Sequence, residues 1–122
     1  MRDLEVACRW YGLLGLEIES REEVPQEQVR VAMLPLAEGR IELLEPTAED
    51  SPVGRFLAKR GEGLHHVALK VPDLPAVLER LRAAGARLVQ DKLQVGAGGH
   101  RYIFVHPAST GGVLLELIET EP

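Results

Sequence analysis

A short apolar segment near the end of the chain carries one acidic residue. Glu116 lies within Val113–Ile118, and the remaining five residues of this segment are all aliphatic. A run of this kind is typical of a strand that is buried on both faces. An ionised carboxylate in such a strand is costly unless something binds it. A metal ion or a reacting proton would meet that need, so Glu116 is a candidate functional residue.

The same pattern occurs once more, earlier in the chain. Glu42 lies within Arg40–Glu45, which aligns position by position with Leu114–Glu119 at a constant spacing of 74 residues. Internal repetition indicates a structure built from repeated units. The chain is therefore predicted to contain two copies of one module, each with a carboxylate in an equivalent strand.

The second copy predicts a strand, a helix and three more strands. Asp73 is a suitable N-cap and Pro75 suits the first helical turn. The predicted elements are a strand over His66–Val71, a helix over Leu74–Ala84, and strands near Ala86–Gln90, Arg101–Val105 and Val113–Ile118.

The first copy predicts the same order without the opening strand. Asp3 and Gly15 mark the ends of its helix, as Asp73 and Gly85 do 70 residues later. That spacing aligns Met1 with the last residue of the second copy's first strand, so the equivalent strand is expected to precede Met1. The predicted elements are a helix over Leu4–Leu14 and strands near Leu16–Ser20, Val29–Leu34 and Arg40–Leu44.

The length allows one domain with a shared core, because 122 residues are too few for two independent cores. We predict an α+β fold in a single domain, 1–122, with helices on the outside of the sheet. Module 1 is expected to cover residues 1–46, a linker with a short helix residues 47–63, and module 2 residues 64–122. Ser51 and Gly61 are the expected ends of the linker helix.

Charge and composition disfavour several classes of partner. Nineteen acidic and fourteen basic residues give a net charge of -5, and the basic residues are scattered. Nucleic-acid binding and attachment to an anionic membrane are therefore not expected. The first residues do not form a basic segment followed by an apolar one, so a cytoplasmic protein is the default expectation. Cys8 falls within the first helix, where a buried apolar role is expected.

Two adjacent histidines begin the second module. His65 and His66 are predicted to begin a strand, in which alternation sends their side chains to opposite faces, so only one can enter a shared cleft. A lone strand histidine is more often a hydrogen-bonded structural residue than a ligand. Together with Glu42 and Glu116, however, His66 would form a set suited to Co²⁺, Mn²⁺, Zn²⁺, Ni²⁺ or Fe²⁺.

Other polar and aromatic residues have simpler interpretations. Glu45 and Glu119 lie three positions beyond the two strand carboxylates, so they are expected on the opposite face and exposed. Trp10 and Tyr11 have the helical spacing of core residues. The glycine-rich loop Gly96–Arg101 is compatible with an anion-binding loop and equally with a hairpin turn.

Several motifs together resemble a known family, the methylmalonyl-CoA epimerases of the vicinal oxygen chelate superfamily. The superfamily also contains glyoxalase I and the extradiol dioxygenases. The resemblance implies paired βαβββ modules that form an open, cup-shaped sheet around a divalent metal, and it implies a homodimer. The motifs that carry it are Gly61–Ala68, Arg40–Pro46, Gly96–Gly99, His106–Pro107 and Gly111–Leu117.

The resemblance also implies roles for particular residues. Glu42, His66 and Glu116 fall on metal ligands of the family, and Glu116 is the expected catalytic residue. A further histidine ligand belongs to the strand that would precede Met1. The implied reaction is epimerisation of methylmalonyl-CoA by metal-assisted proton transfer, with an acyl-CoA thioester as substrate. A glyoxalase-like metal-dependent lyase and a metal-poor, non-catalytic binding protein remain as alternatives.

Overall fold

The fold is described by a computed structural model that covers residues 1–96 and 99–120. Within these residues it contains three α-helices and seven strands in two sheets. The chain divides into two compact units, Met1–Leu64 and His65–Pro122. The predicted α+β class is confirmed. The predicted domain boundaries are not tested by this division and stay a prediction.

The first unit contains a three-stranded antiparallel sheet and two helices. Its strands follow the order β1-β2-β3 across the sheet. A short 3₁₀ helix, Pro25–Glu27, joins β1 to β2. The elements are α1 (Leu4–Leu13), β1 (Ser20–Val24), β2 (Val29–Leu36), β3 (Gly39–Pro46) and α2 (Pro52–Arg60).

Helix α1 packs its apolar face onto this sheet. Leu4 and Cys8 are one turn apart and form a buried cluster with Ala32 and Leu34 of β2 and Leu43 of β3. Asp3 caps the helix by accepting a hydrogen bond from the Val6 backbone N–H at 3.1 Å. The expected burial of Cys8 is therefore confirmed.

Ser51 is the N-cap of helix α2 and is fully buried. Its hydroxyl donates to the Ala48 carbonyl at 2.7 Å and accepts from the Gly54 N–H at 3.0 Å. A Ser51→Ala variant would leave that buried N–H without its acceptor, so we expect the free energy of unfolding to fall by about 1–2 kcal/mol. Urea denaturation measures the change. Ser20→Ala, at an exposed position, is the control, and equal stability of the two variants would contradict the capping role.

The second unit contains a four-stranded mixed sheet covered by one helix. The strand order is β4-β7-β6-β5, in which β4 is parallel to β7 and the other neighbours are antiparallel. The elements are β4 (Val67–Val71), α3 (Leu74–Ala83), β5 (Gln94–Val95), β6 (Arg101–Val105) and β7 (Leu115–Glu119). The predicted order of one strand, one helix and three strands is confirmed.

Two strand predictions were wrong in position. Leu16–Ser20 is not a regular strand. Instead Ser20–Val24 pairs with β2, because strand formation requires a partner for the backbone and not only an apolar pattern. Ala86–Gln90 likewise contributes only an isolated bridge, from Leu88 to Val105. The second strand of this unit is instead Gln94–Val95.

The prediction that Trp10 is a core residue was also wrong, because Trp10 is 67 % exposed. Tyr11 does pack against the cluster beneath α1. In the predicted glycine-rich loop, Ala97 and Gly98 lie outside the described residues. No helix within residues 1–96 and 99–120 is long and apolar enough to cross a membrane.

Candidate active site

Glu116 lies on β7, a strand with a neighbour on each side. Ala68 of parallel β4 and Phe104 of antiparallel β6 are its partners in the sheet. The next residue, Leu117, is buried in the core of the unit. Since side chains alternate along a strand, Glu116 must lie on the opposite face from that core and from α3.

His66 meets Glu116 on this face. The imidazole Nε2 is 3.3 Å from Glu116 Oε1. The two side chains are 16 % and 19 % exposed, so each is mostly withdrawn from water yet remains accessible. The structure thus brings together two of the three predicted site residues, and their charges and lone pairs interact in a partly desolvated environment.

The two neighbouring histidines contact each other, with Nδ1 of His65 2.9 Å from Nδ1 of His66. The expectation that they lie on opposite faces was therefore wrong. Both residues precede β4, which begins at Val67, so strand alternation does not apply to them. Burial, followed by the nearby His66 ring, lowers the pKa of His65 to about 4. His65 is consequently neutral near pH 7.

The contact between the rings links their protonation states. Only one of two facing Nδ1 atoms can carry the shared hydrogen when both rings are neutral. In the tautomer whose Nε2–H donates to Glu116, 3.3 Å away, Nδ1 of His66 accepts a hydrogen bond from Nδ1 of His65. If Nε2 instead donates its lone pair to a cation, the hydrogen must move to Nδ1 of His66, and His65 becomes the acceptor.

Aromatic residues of β6 support the histidine. The Phe104 ring packs edge to face against His66, with ring centroids 5.5 Å apart, and Tyr102 packs against Phe104 at 6.0 Å. Sequence reasoning did not identify Phe104 as part of the site. Its position opposite Glu116 follows from the β6–β7 register, which the apolar pattern of β6 does not specify.

Glu42 lies on β3 of the first unit, opposite Met33. Its Oε1 is 3.5 Å from Nε of Arg40, and its side chain is 33 % exposed. Its convergence with His66 and Glu116, which belong to the second unit, stays a prediction. Taken within each unit, the described residues contain no group of three His, Cys, Asp or Glu side chains that could hold a metal.

Glu45 and Glu119 are only partly exposed, with 18 % and 22 % of their side chains accessible, and both have hydrogen-bond partners. Glu45 accepts hydrogen bonds from the Leu4 N–H at 2.6 Å and from Arg30 at 2.8 Å. Glu119 accepts two hydrogen bonds from Arg101. Each carboxylate thus links its strand to another element, and both have structural partners.

The chemistry available at the pair follows from its atoms. Nε2 of His66 and Oε1 of Glu116 are a nitrogen and an oxygen donor on one face, which is part of a ligand set for a borderline divalent cation. A carboxylate at such a position can also accept a proton from a bound molecule. The arrangement therefore suits metal binding, proton transfer or both.

Comparison with known proteins identifies the family. The sequence-family model of the glyoxalase/bleomycin resistance protein/dioxygenase superfamily matches residues 1–104. The ethylmalonyl-CoA/methylmalonyl-CoA epimerase of Cereibacter sphaeroides is 38% identical over 94% of this chain and 88% of its own length. The mitochondrial methylmalonyl-CoA epimerase of Homo sapiens is 35% identical over 94% of this chain. The chain spans 66% of the human protein's length.

A solved structure agrees in fold. A variant of Streptomyces coelicolor methylmalonyl-CoA epimerase in complex with 2-nitronate-propionyl-CoA superimposes with a TM-score of 0.85 and 38% sequence identity. The match covers 99% of this chain and 91% of the other. The chain therefore belongs to the glyoxalase/bleomycin resistance protein/dioxygenase superfamily and, within it, to the methylmalonyl-CoA epimerase family.

Proposed function

We propose that this chain interconverts the two epimers of methylmalonyl-CoA. The observation that carries the proposal is the partly buried contact between Glu116 and His66, at 3.3 Å, on the face of β7 that is turned away from α3. The relatives named for this activity support the reaction. The related structure with a propionyl-CoA analogue supports an acyl-CoA thioester as the substrate.

Glu116 is the proposed base. The carbon between a thioester and a carboxylate bears one acidic proton, and its removal leaves an enolate. The Glu116 carboxylate would take that proton on one face of the carbon, and return of a proton on the other face would invert the centre. The neutral His65 ring would fix the orientation of His66 beside it.

We further propose that a divalent metal, Co²⁺ or a similar ion, assists this chemistry, with Zn²⁺, Mn²⁺ and Ni²⁺ as alternatives. Nε2 of His66 and an oxygen of Glu116 have the chemistry and spacing to hold it, and Glu42 is the proposed third ligand. When bound, such an ion would stabilise the negative charge that develops on the thioester oxygen. Superfamily membership supports the proposal.

Removal of the histidine is expected to weaken metal binding. A His66→Ala variant should bind Co²⁺ at least about tenfold more weakly, because even residues that only orient a metal ligand contribute factors of about 10–100. Isothermal titration calorimetry measures the affinity without substrate. His106→Asn is a matched control, because asparagine can replace the ring nitrogen that caps the Ala108 N–H. Equal affinities of the two variants would exclude His66 as a ligand.

The reaction is tested by solvent deuterium exchange. Methylmalonyl-CoA is incubated with the chain and Co²⁺ in D₂O, and mass spectrometry follows the label at the α-carbon. Exchange that depends on the chain supports the epimerase. Absence of exchange, with intact metal binding, favours a glyoxalase-like lyase, which an assay with a hemithioacetal substrate would detect. Absence of both favours a non-catalytic binding protein.

The proposal includes a homodimer that functions in the cytoplasm. Homodimerisation is what the family resemblance implies, and the cytoplasm is the proposed location. Sedimentation velocity of the chain, and fractionation of cells that express it, would test the two statements independently of the catalytic proposal.

A further inference from the structure

Lys70 lies on β4, on the same face of the sheet as Glu116. In the β4–β7 pair, Leu69 lies beside Leu117, which is buried in the core with α3, and Lys70 lies beside Ile118. Side chains alternate along a strand, so Lys70 is on the face opposite to Leu69 and to the core. Ile118 and Glu116 are two residues apart on β7 and share that face. Lys70 is exposed there.

A small residue separates Lys70 from the contact between Glu116 and His66. Ala68 lies directly beside Glu116 in the sheet, and Lys70 follows two positions later on β4. On the other side of Glu116, its partner on β6 is Phe104, whose ring packs against His66. The methyl group of Ala68 is exposed and fills little of this face. Room for a bound molecule therefore lies above Ala68, between His66 and Lys70.

Lys70 differs from the other basic residues of the described strands, because each of those pairs with a carboxylate. Its neighbour on β7 is the uncharged Ile118. Across the parts of the chain that the structure describes, the Lys70 side chain has no ion pair or hydrogen bond. Its ammonium group is thus available to an anion. The paired strand residues are Arg21 with Glu5, Arg30 with Glu23 and Glu45, Arg40 with Glu42, and Arg101 with Glu119.

The substrate proposed above carries an anion within reach of Lys70. Two residues of a strand span about 7 Å, and the flexible four-carbon stem of lysine carries its ammonium group over a comparable distance. The free carboxylate of methylmalonyl-CoA is attached to the carbon from which Glu116 would remove a proton. The phosphates of the CoA part are separated from that carbon by the long pantetheine arm. The carboxylate is therefore the anion that Lys70 can contact.

We propose that Lys70 binds the free carboxylate of the substrate and thereby selects thioesters of the malonyl type over simple acyl thioesters. The inference rests on the proposed epimerase function and names the residue that recognises the acyl part. Loss of the α-proton places a second negative charge beside the carboxylate, and the ammonium group of Lys70 offsets the repulsion between the two charges. Lys70 is thus a specificity-determining residue next to the proposed base.

Binding of two thioesters that differ only in the carboxylate tests this role. Malonyl-CoA and acetyl-CoA are titrated into the chain by isothermal titration calorimetry, with the same saturating Co²⁺ concentration in every arm. The parent chain should bind malonyl-CoA more tightly. Lys70→Met removes the charge and keeps a similar length, so it should weaken malonyl-CoA about three- to tenfold and leave acetyl-CoA unchanged. Lys70→Arg, which keeps the charge, should restore most of the preference.

Lys92→Met is the matched control, because Lys92 is an exposed lysine of the same unit that lies outside the strands. Its affinities for both thioesters should equal those of the parent chain, and circular dichroism should report the same fold for all variants. Equal weakening of both thioesters in Lys70→Met would mean that Lys70 binds the phosphates of CoA. Unchanged affinity for malonyl-CoA, or a parent chain without preference, would likewise overturn the proposal.

The outcome is separable from that of the epimerase proposal. Deuterium exchange into methylmalonyl-CoA by the parent chain, together with unchanged malonyl-CoA binding in Lys70→Met, would leave the reaction standing and remove the role of Lys70. Selective loss of malonyl-CoA binding in Lys70→Met, in a chain that does not catalyse exchange, would confirm carboxylate recognition and refute the proposed reaction.

Discussion

Glu116→Gln is expected to lower deuterium exchange into methylmalonyl-CoA by a factor of about 10² to 10⁴, the usual cost of losing a general base. Glutamine has almost the same shape as glutamate but does not accept the α-proton at neutral pH. Glu116 lies opposite Phe104 and Ala68 in the sheet and contacts His66, and an isosteric amide preserves that packing. The fold should therefore be retained, as monitored by circular dichroism and thermal unfolding.

Glu119→Gln is the matched control for this variant. Glu119 is on the same strand and pairs with Arg101 at the surface, where an ion pair contributes about 0–1 kcal/mol. Its exchange rate should equal that of the parent chain. Exchange at the parental rate in Glu116→Gln would show that another residue removes the proton.

Ile103→Ala is expected to reduce the free energy of unfolding by about 2–5 kcal/mol, the range for a large aliphatic residue truncated in a core. Ile103 is fully buried on β6 and packs with Leu74 and Leu78 of α3 and Leu117 of β7. The substitution leaves a cavity between α3 and the sheet, where the Ile103 side chain lies. Chemical denaturation followed by circular dichroism measures the loss.

Val95→Ala is the control for the core variant. Val95 is in the same sheet, on β5, but is largely exposed, so its truncation should change stability by no more than about 0.5 kcal/mol. A similar loss in the two variants would mean that the packing of Ile103 does not determine the stability of this unit.

The sequence determined the local elements whose signals lie within a few residues. Asp3, Ser51 and Asp73 cap the three helices as expected, because a capping side chain bonds to the backbone only two or three positions away. The repeat located the strands that carry Glu42 and Glu116, because an apolar run containing one carboxylate is itself a strong pattern. The order of elements in the second unit followed from the same signals.

The tertiary structure decided the limits of those strands whose backbone hydrogen bonds depend on a distant partner strand. Ser20–Val24 and Gln94–Val95 are strands because they find pairing partners, whereas the more apolar Leu16–Ser20 and Ala86–Gln90 do not form regular strands. A strand's hydrogen bonds join residues far apart in sequence, so its limits depend on the partner and not on its own composition.

The site shows the same division between sequence and structure. The sequence alone determined that His66 and Glu116 are candidates, since their positions in the repeat and in an apolar strand are local facts. The packing of Phe104 and the partners of Glu45 and Glu119 were decided by strand register. The contact of His66 with His65 was decided by the start of β4 at Val67, one residue beyond them. Register requires distant segments to meet, and an amphipathic pattern specifies a face of a strand but not the residue opposite it.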